Sequence, residues 1–275
     1  MRLRRMALKN LRRIRYLLRR DKEPYKSYWQ MDYDLLTRPA NQPGRINIMG
    51  WDIEFVDGIS LYHMLRVNVI ERYNDFYTTN PSPRILDCGA NIGVSVLRYK
   101  KLYPAARITA FEADPDLCKV LRRNLDRNNL QDVDVVEAAV WCKDEPVDFV
   151  RIDDSQSGFI GNNKYHDRGR IKSVRGVSLL QYLDVQTDLL KLDIEGSEFE
   201  VLPSIKDRLH NVRQIMLEIH HSVDRTDRLR DALGILSNTG FNTVVNAKWA
   251  PPSHKPYVRL SGSLFDEPLL IWAWR

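Results

Sequence analysis

Residues 84–93, Arg-Ile-Leu-Asp-Cys-Gly-Ala-Asn-Ile-Gly, constrain the fold of this chain more than any other stretch. An apolar run ends in an acid, turns on Gly89 and Gly93, and passes into the helical-period segment 94–103. That is a strand, a tight turn and a helix start. In an open α/β sheet such a turn presents backbone N–H groups and a helix N-terminus to a ligand at the strand's carboxyl end. Ligand atoms are then expected where a side chain on either glycine would intrude. The glycine spacing is G-x-x-x-G, so the dinucleotide pattern G-x-G-x-x-G is absent.

Downstream the pattern repeats. A β-branched run at 107–111 ends at Glu112. Asp114-Pro115 then supplies an N-cap and a first-turn proline for a helix with Leu117, Val120, Leu121 and Leu125 on its apolar face. Residues 133–140 read as a third strand and 147–152 as a further extended piece. Residues 153–170 form a long loop rich in Ser, Gly, Asn and Asp. The run 188–194 is another apolar strand. Ser197 and Glu200 suggest a capping box for a helix over 198–209, which Pro203 should bend or split. A strand over 213–219 follows, then a helix over 223–239 capped by Ser222 and stopped by Gly240. The last strands are expected at 241–246 and 269–274. Strands alternating with helices predict an α/β, doubly wound, Rossmann-like sheet.

Upstream, residues 45–55 alternate around Gly50 as a hairpin, and 60–76 carry a helical face of Leu61, Leu65, Val69 and Tyr73. A Pro/Ser/Asn linker at 78–83 sets the division. We expect a basic amphipathic helix at 1–22, an N-terminal extension at 23–80 and the main domain at 81–275.

The net charge of +6 is unevenly placed. Residues 1–22 hold eight Arg and two Lys against one Asp, a net +9, so the remaining chain carries −3. An acidic body is poor ground for nucleic-acid phosphates, and no nucleic-acid partner is expected. The stripe Leu3, Ala7, Leu11, Ile14 and Leu18 opposite the arginines suits an anionic membrane surface, or packing on the chain's own domain. No apolar run approaches the roughly 20 residues a membrane-spanning helix needs. The expectation is a cytoplasmic protein, peripheral at the membrane through residues 1–20. Cys88, Cys118 and Cys142 lack metal-site spacing and read as small buried hydrophobes in a reducing compartment.

Ligands of doubly wound sheets bind across the carboxyl ends of the strands. The residues expected there are Asp87, Glu112, Glu137 with Ala138 and Ala139, then Lys191, Asp193 and Glu195, and His220. Glu112 follows Gly89 by 23 residues, the interval of an acid that accepts both ribose hydroxyls. A carboxylate suits two vicinal donors because it offers two acceptor oxygens.

Three motifs, residues 87–93 (Asp-Cys-Gly-Ala-Asn-Ile-Gly), 111–114 (Phe-Glu-Ala-Asp) and 191–198 (Lys-Leu-Asp-Ile-Glu-Gly-Ser-Glu), together resemble the FkbM-type methyltransferases, a class I S-adenosylmethionine-dependent family. Residues 217–220, Leu-Glu-Ile-His, fit as well. The resemblance covers roughly residues 59–221. It implies a seven-stranded sheet whose last strand is antiparallel. It also implies that Asp87, Gly89, Ala90, Asn91 and Gly93 surround the methionine part of S-adenosylmethionine, that Glu112 holds the ribose, and that Ala113 is among the cofactor-binding residues. Glu137, Ala138 and Ala139 would line the adenine. The acceptor implied is a hydroxyl of a sugar, glycolipid or secondary metabolite.

Methyl transfer to a hydroxyl needs alignment and a proton acceptor. His220 has the unperturbed pKa closest to working pH, and is either that base or a structural histidine. Asp193 and Glu195 are alternative bases, or Asp193 positions the methionine amino group. Lys191 either stabilises a developing alkoxide or pairs with these acids. Tyr165 and His166 lie in the long loop, where solvent exposure is the simpler expectation. No metal spacing is evident, although Asp193 with Glu195 leaves room for a divalent cation. Two other functions compete. A base N-methyltransferase would carry Asn/Asp-Pro-Pro-aromatic where this chain has Asp-Ile-Glu-Gly, and a non-catalytic scaffold has no need of intact motifs.

Overall fold

The computed structural model describes residues 34–152, 158–160, 169–219, 226–247 and 269–275. The expected basic helix at 1–22, His220, Tyr165, His166 and the cap Ser222 lie outside them. The first strands among the described residues form a hairpin of β1 (Gly44–Ile48) and β2 (Trp51–Phe55), paired from Gly44↔Phe55 to Ile48↔Trp51. Met49 and Gly50 make the two-residue turn, with φ of 55° and 82°. Positive φ at both positions matches the right-handed twist of the strands. Helix α1 (Gly58–Leu65) follows, capped by Asp57, whose side chain accepts from Ser60 N–H. It ends earlier than its periodicity suggested. Residues Arg66–Ile70 widen into a π-helical turn, and the helical segment stops before Arg72, at φ 57°.

The main sheet comprises β3 (Arg84–Cys88), β4 (Arg107–Glu112), β5 (Val133–Glu137), β10 (Thr187–Leu192), β11 (Val212–Ile219), β12 (Asn242–Ala247) and β13 (Leu269–Trp274). Its spatial order is β12-β13-β11-β10-β3-β4-β5. Strands β3, β4, β5, β10 and β11 run parallel, and β13 lies antiparallel to both β11 and β12. This is the expected seven-stranded class I methyltransferase sheet with its last strand reversed. Strand order changes direction between β3 and β10, so the crevice expected of a doubly wound sheet opens where Cys88 and Leu192 end their strands.

Between strands run α2 (Val94–Leu102), α3 (Pro115–Arg127), α4 (Glu198–Ser204) and α5 (Thr226–Asn238). Asp114 caps α3 by accepting from Asp116 N–H, with Pro115 first in the helix. Pro203 splits the helix expected over 198–209. The α-helical part ends at Ser204, and Lys206–Asn211 continue as a 3-10 helix. The capping box is corrected. Ser197 makes no side-chain cap bond, and the carboxylate of Glu198 instead accepts from Ile194 N–H at 2.9 Å and Gly196 N–H at 2.9 Å.

The run 133–140 is two strands. After β5 the chain passes through Ala138 into β6 (Ala139–Trp141), which joins a second sheet with β7 (Pro146–Ile152), β8 (Gly158–Ile160) and β9 (Gly169–Ser178), in the order β6-β9-β7-β8. The stretch read as an irregular loop therefore holds β8 and the start of β9. The N-terminal hairpin and α1 share one apolar cluster with the start of α2 and with α3: Ile46, Ile53, Phe55 and Leu61 pack with Ile92, Leu97, Leu117 and Val120. Among the described residues no helix is long and apolar enough to cross a membrane.

Candidate active site at the strand ends

The glycine turn is stapled to its neighbours by its own backbone. Gly89 and Ala90 both donate to Phe111 O, at 3.0 and 2.9 Å. Asn91, at φ 50°, donates to Glu112 Oε2 at 2.8 Å. Ile92 N–H bonds the Asn91 side chain at 2.8 Å, and Gly93 N–H bonds Ala90 O at 2.9 Å. Every amide from 89 to 93 thus has a protein partner. The expectation that these N–H groups face a ligand is corrected, because the end of β4 takes those of residues 89–91 and the turn itself takes those of 92 and 93.

The glycines are needed for packing. A Cβ on Gly89 (φ 81°) would meet the Asp193 carbonyl oxygen, and one on Gly93 (φ 91°) would come within 2.3 Å of Leu121 Cδ1. Protein atoms fill both spaces, not the ligand atoms expected there. At Gly89 the turn closes directly on the end of β10, where Asp193 N–H also donates to Cys88 O at 3.2 Å.

Glu112 is 8% exposed. Its Oε2 holds Asn91 N–H and its Oε1 holds Asp114 N–H at 2.9 Å. It thus ties the glycine turn to the start of α3. A carboxylate has about four lone-pair sites, so acceptor capacity remains. Burial pushes the Glu112 carboxyl up to about 7, against the pull of the Asp114 and Asn91 amides toward the charged form. Glu137 pairs in register with Glu112 on the adjacent strand and is exposed. Ala138 donates to Glu112 O at 2.9 Å and is buried, as is Ala139. Ala113 is half-buried against the small cluster of Ala139, Val147 and Phe149.

Beneath this rim lies a buried charge cluster. Asp87 is fully enclosed, accepts from Ser95 Oγ at 2.5 Å, and faces Lys191 Nζ at 3.1 Å. Lys191, 2% exposed, also donates to Gly89 O at 3.0 Å and Cys88 O at 3.3 Å, and stands 3.5 Å from Asp193 Oδ2. Burial opposes its charge, but Asp87 and Asp193, with Glu218 behind them, outweigh it and hold the ammonium above the ordinary lysine range. Asp193 is partly exposed, and Glu195 beside it sits at φ 55°. The structure therefore gathers Gly89, Asn91, Ala113, Glu137, Asp193 and Glu195 at an accessible rim. Asp87, Ala90, Glu112, Ala138, Ala139 and Lys191 lie buried beneath it. Strand β11 ends at Ile219, so His220 follows directly but lies outside the described residues. Among those residues no group of three or more His, Cys, Asp or Glu could hold a metal ion. Cys88 and Cys118 are buried free thiols, and burial raises both.

Sequence reasoning missed Ser95, Glu198 and Asn124, all of which shape the turns from behind. Asn124 left a signal. It follows Leu117 by seven residues and Val120 by four, so it falls on the buried face of α3.

The chain is 25% identical over 247 residues to Methyltransferase 1 of Beauveria bassiana, covering 76% of this chain and 96% of that protein. It is 29% identical over 162 residues to the hexuronic acid methyltransferase AglP of Haloferax volcanii, covering 58% of this chain and 63% of that protein. It is 24% identical over 156 residues to the 2-O-methyltransferase NoeI of Sinorhizobium fredii, covering 50% and 63%. The methyltransferase FkbM domain matches residues 87–242, from the end of β3 to the start of β12 and so across the ends of β3, β4, β5, β10 and β11. The chain belongs to the FkbM methyltransferase family.

Proposed function

We propose that this methyltransferase uses S-adenosylmethionine to methylate a hydroxyl oxygen of a glycan, glycolipid or secondary metabolite. Glu112 carries the reading. It is a desolvated carboxyl, acceptor-only once ionised, at the end of the second sheet strand, with both oxygens oriented by main-chain N–H groups. Such a group suits a ligand that brings vicinal hydroxyl donors and repels a phosphate. The turn beside it argues the same way, since its amides are already bonded and form no phosphate-binding nest.

The donor set fits the cofactor. Glu112 would hold the ribose, Ala113, Ala138 and Ala139 the apolar faces of the adenine, and Glu137 its rim. Gly89, Ala90, Asn91 and Asp193 would surround the methionine part. S-adenosylmethionine supplies an activated methyl group when bound. The chain's own residues orient the acceptor and take its proton. His220 is the base this reading favours, with Asp193 and Glu195 in reserve. Lys191 is enclosed by protein oxygens, which suits a cation that fixes Gly89 and Asp193 rather than one that meets an alkoxide. The names of two relatives, a hexuronic acid methyltransferase and a 2-O-methyltransferase, support a sugar-type hydroxyl as acceptor. The basic stripe in residues 1–20 supports placing the activity at an anionic membrane surface.

Mass spectrometry of glycans and glycolipids from cells with and without the gene tests this proposal. A species heavier by one methylene, present only with the gene and mapped to oxygen, is expected. A methylated nitrogen or nucleic-acid base in its place contradicts the hydroxyl assignment.

A further inference from the structure

The N-terminal hairpin is keyed to α3 by two asparagines one helical turn apart. Asn124 accepts from Glu54 N–H at 2.7 Å and donates to Glu54 O at 2.9 Å. Asn128 does the same for Asp52, accepting at 3.0 Å and donating at 2.9 Å. Two side-chain amides thus stand where a neighbouring strand would, and satisfy the outer edge of β2. Arg123 and Arg127 close the contact on the Glu54 carboxylate, at 2.6 and 3.1 Å.

The two asparagines differ in one respect. The second donor of Asn128 stays within the helix, on Asn124 O at 2.7 Å. The second donor of Asn124 reaches Ile92 O at 2.9 Å, inside the glycine turn. Ile92 is fully buried and lies between Asn91, held at φ 50°, and Gly93, at φ 91°. One side of the turn is therefore fixed by Phe111 O and Glu112. The other is fixed through Asn124, a fully buried amide whose remaining bonds go to the hairpin. A residue in the left-handed region keeps that conformation only when its surroundings over-determine it.

We propose that Asn124 is a positioning residue for the cofactor turn, and that the N-terminal hairpin is through it a working part of the cofactor site rather than an appendage. This rests on the S-adenosylmethionine reading for its ligand, but not for its geometry. The amide reads the hairpin main chain on one side and sets the Ile92 carbonyl on the other. A displaced hairpin therefore frees Asn91 and, with it, the orientation of Glu112.

The test compares Asn124→Ala with Asn128→Ala in the full chain. Each variant loses two hairpin bonds and one further bond, so both lower thermal stability. Only Asn124→Ala touches the turn. Calorimetric titration with S-adenosylmethionine, well below the unfolding temperature, is expected to show affinity reduced about tenfold in Asn124→Ala, as one or two lost hydrogen bonds would give, and near wild type in Asn128→Ala. Hydrogen exchange on the cofactor-free protein is the second arm. Amides 91–93 should lose protection in Asn124→Ala and keep it in Asn128→Ala. Equal affinity losses in the two variants, or unchanged protection at 91–93 in Asn124→Ala, would overturn the proposal. A wild-type protein that ignores S-adenosylmethionine would count against the cofactor reading alone, and the exchange arm would still decide the role of Asn124.

Discussion

The carbonyl oxygen of Asp193 occupies the position a Gly89 side chain would need, 1.8 Å from where its Cβ would lie. The glycine turn and the end of β10 are thus one packed unit, and glycine is required for contact as well as for its φ of 81°. Gly89→Ala should destabilise the fold by at least about 3 kcal/mol, combining left-handed strain with overpacking. Gly196→Ala is the control. Its φ is 100° but its Cβ would meet nothing within 4 Å, so only the conformational cost of about 1–2 kcal/mol applies. Urea denaturation of the two variants separates these terms, and equal losses would contradict the close packing.

Lys191 neutralises a carboxylate that has no access to water. Lys191→Met should cost about 3–5 kcal/mol because Asp87 is left charged and enclosed. Adding Asp87→Asn should recover at least about 1 kcal/mol of that loss. A double-mutant cycle by chemical denaturation measures the coupling, and strict additivity would remove the ion pair from the account.

The raised carboxyl of Glu112 gives a pH dependence with a definite sign. It ionises near 7 in the folded chain against 4.5 for an ordinary glutamate. Between those values the folded state binds more protons than the unfolded one. Glu112 therefore favours the fold at low pH, and that contribution is lost as pH rises toward about 7, then stays constant. Ribose hydroxyls would favour the charged form, so cofactor affinity should rise up to about tenfold between about pH 6 and about pH 8. Titrations in buffers of different ionisation enthalpy should show proton release. Glu112→Gln should abolish both the release and the pH dependence, and a wild-type affinity that is flat with pH would refute the assignment.

Removal of residues 1–22, which carry a net +9, should abolish binding to anionic liposomes and leave cofactor affinity unchanged. Flotation with phosphatidylserine vesicles measures it. Retained binding would end the membrane-surface proposal.

Much of the fold was written in periodicity and caps. Asp114-Pro115 starts α3 where the sequence places it, and Pro203 splits its helix because it cannot donate a main-chain bond. The second sheet was less legible. Its strands pair at a distance, Pro146 with Arg175 and Ala139 with Gly176, across a stretch whose Ser, Gly and Asn content resembles a loop. Local pattern carries no record of such pairing. At the site, the place of Glu112 at a strand end was legible from the β-branched run 107–111 that it closes. The spent amides of the turn were not, because a sequence does not show which carbonyl, here Phe111 O, lies opposite an N–H group. Asn124 could have been found, since a polar residue on the buried face of a helix must bond something.

The most direct test of the central claim is calorimetric titration of S-adenosylmethionine into the wild-type protein and into Glu112→Ala, near neutral pH. One site is expected in the wild type, with a loss of about 1–3 kcal/mol of binding free energy in the variant and the fold retained. Wild-type affinity in Glu112→Ala would contradict it.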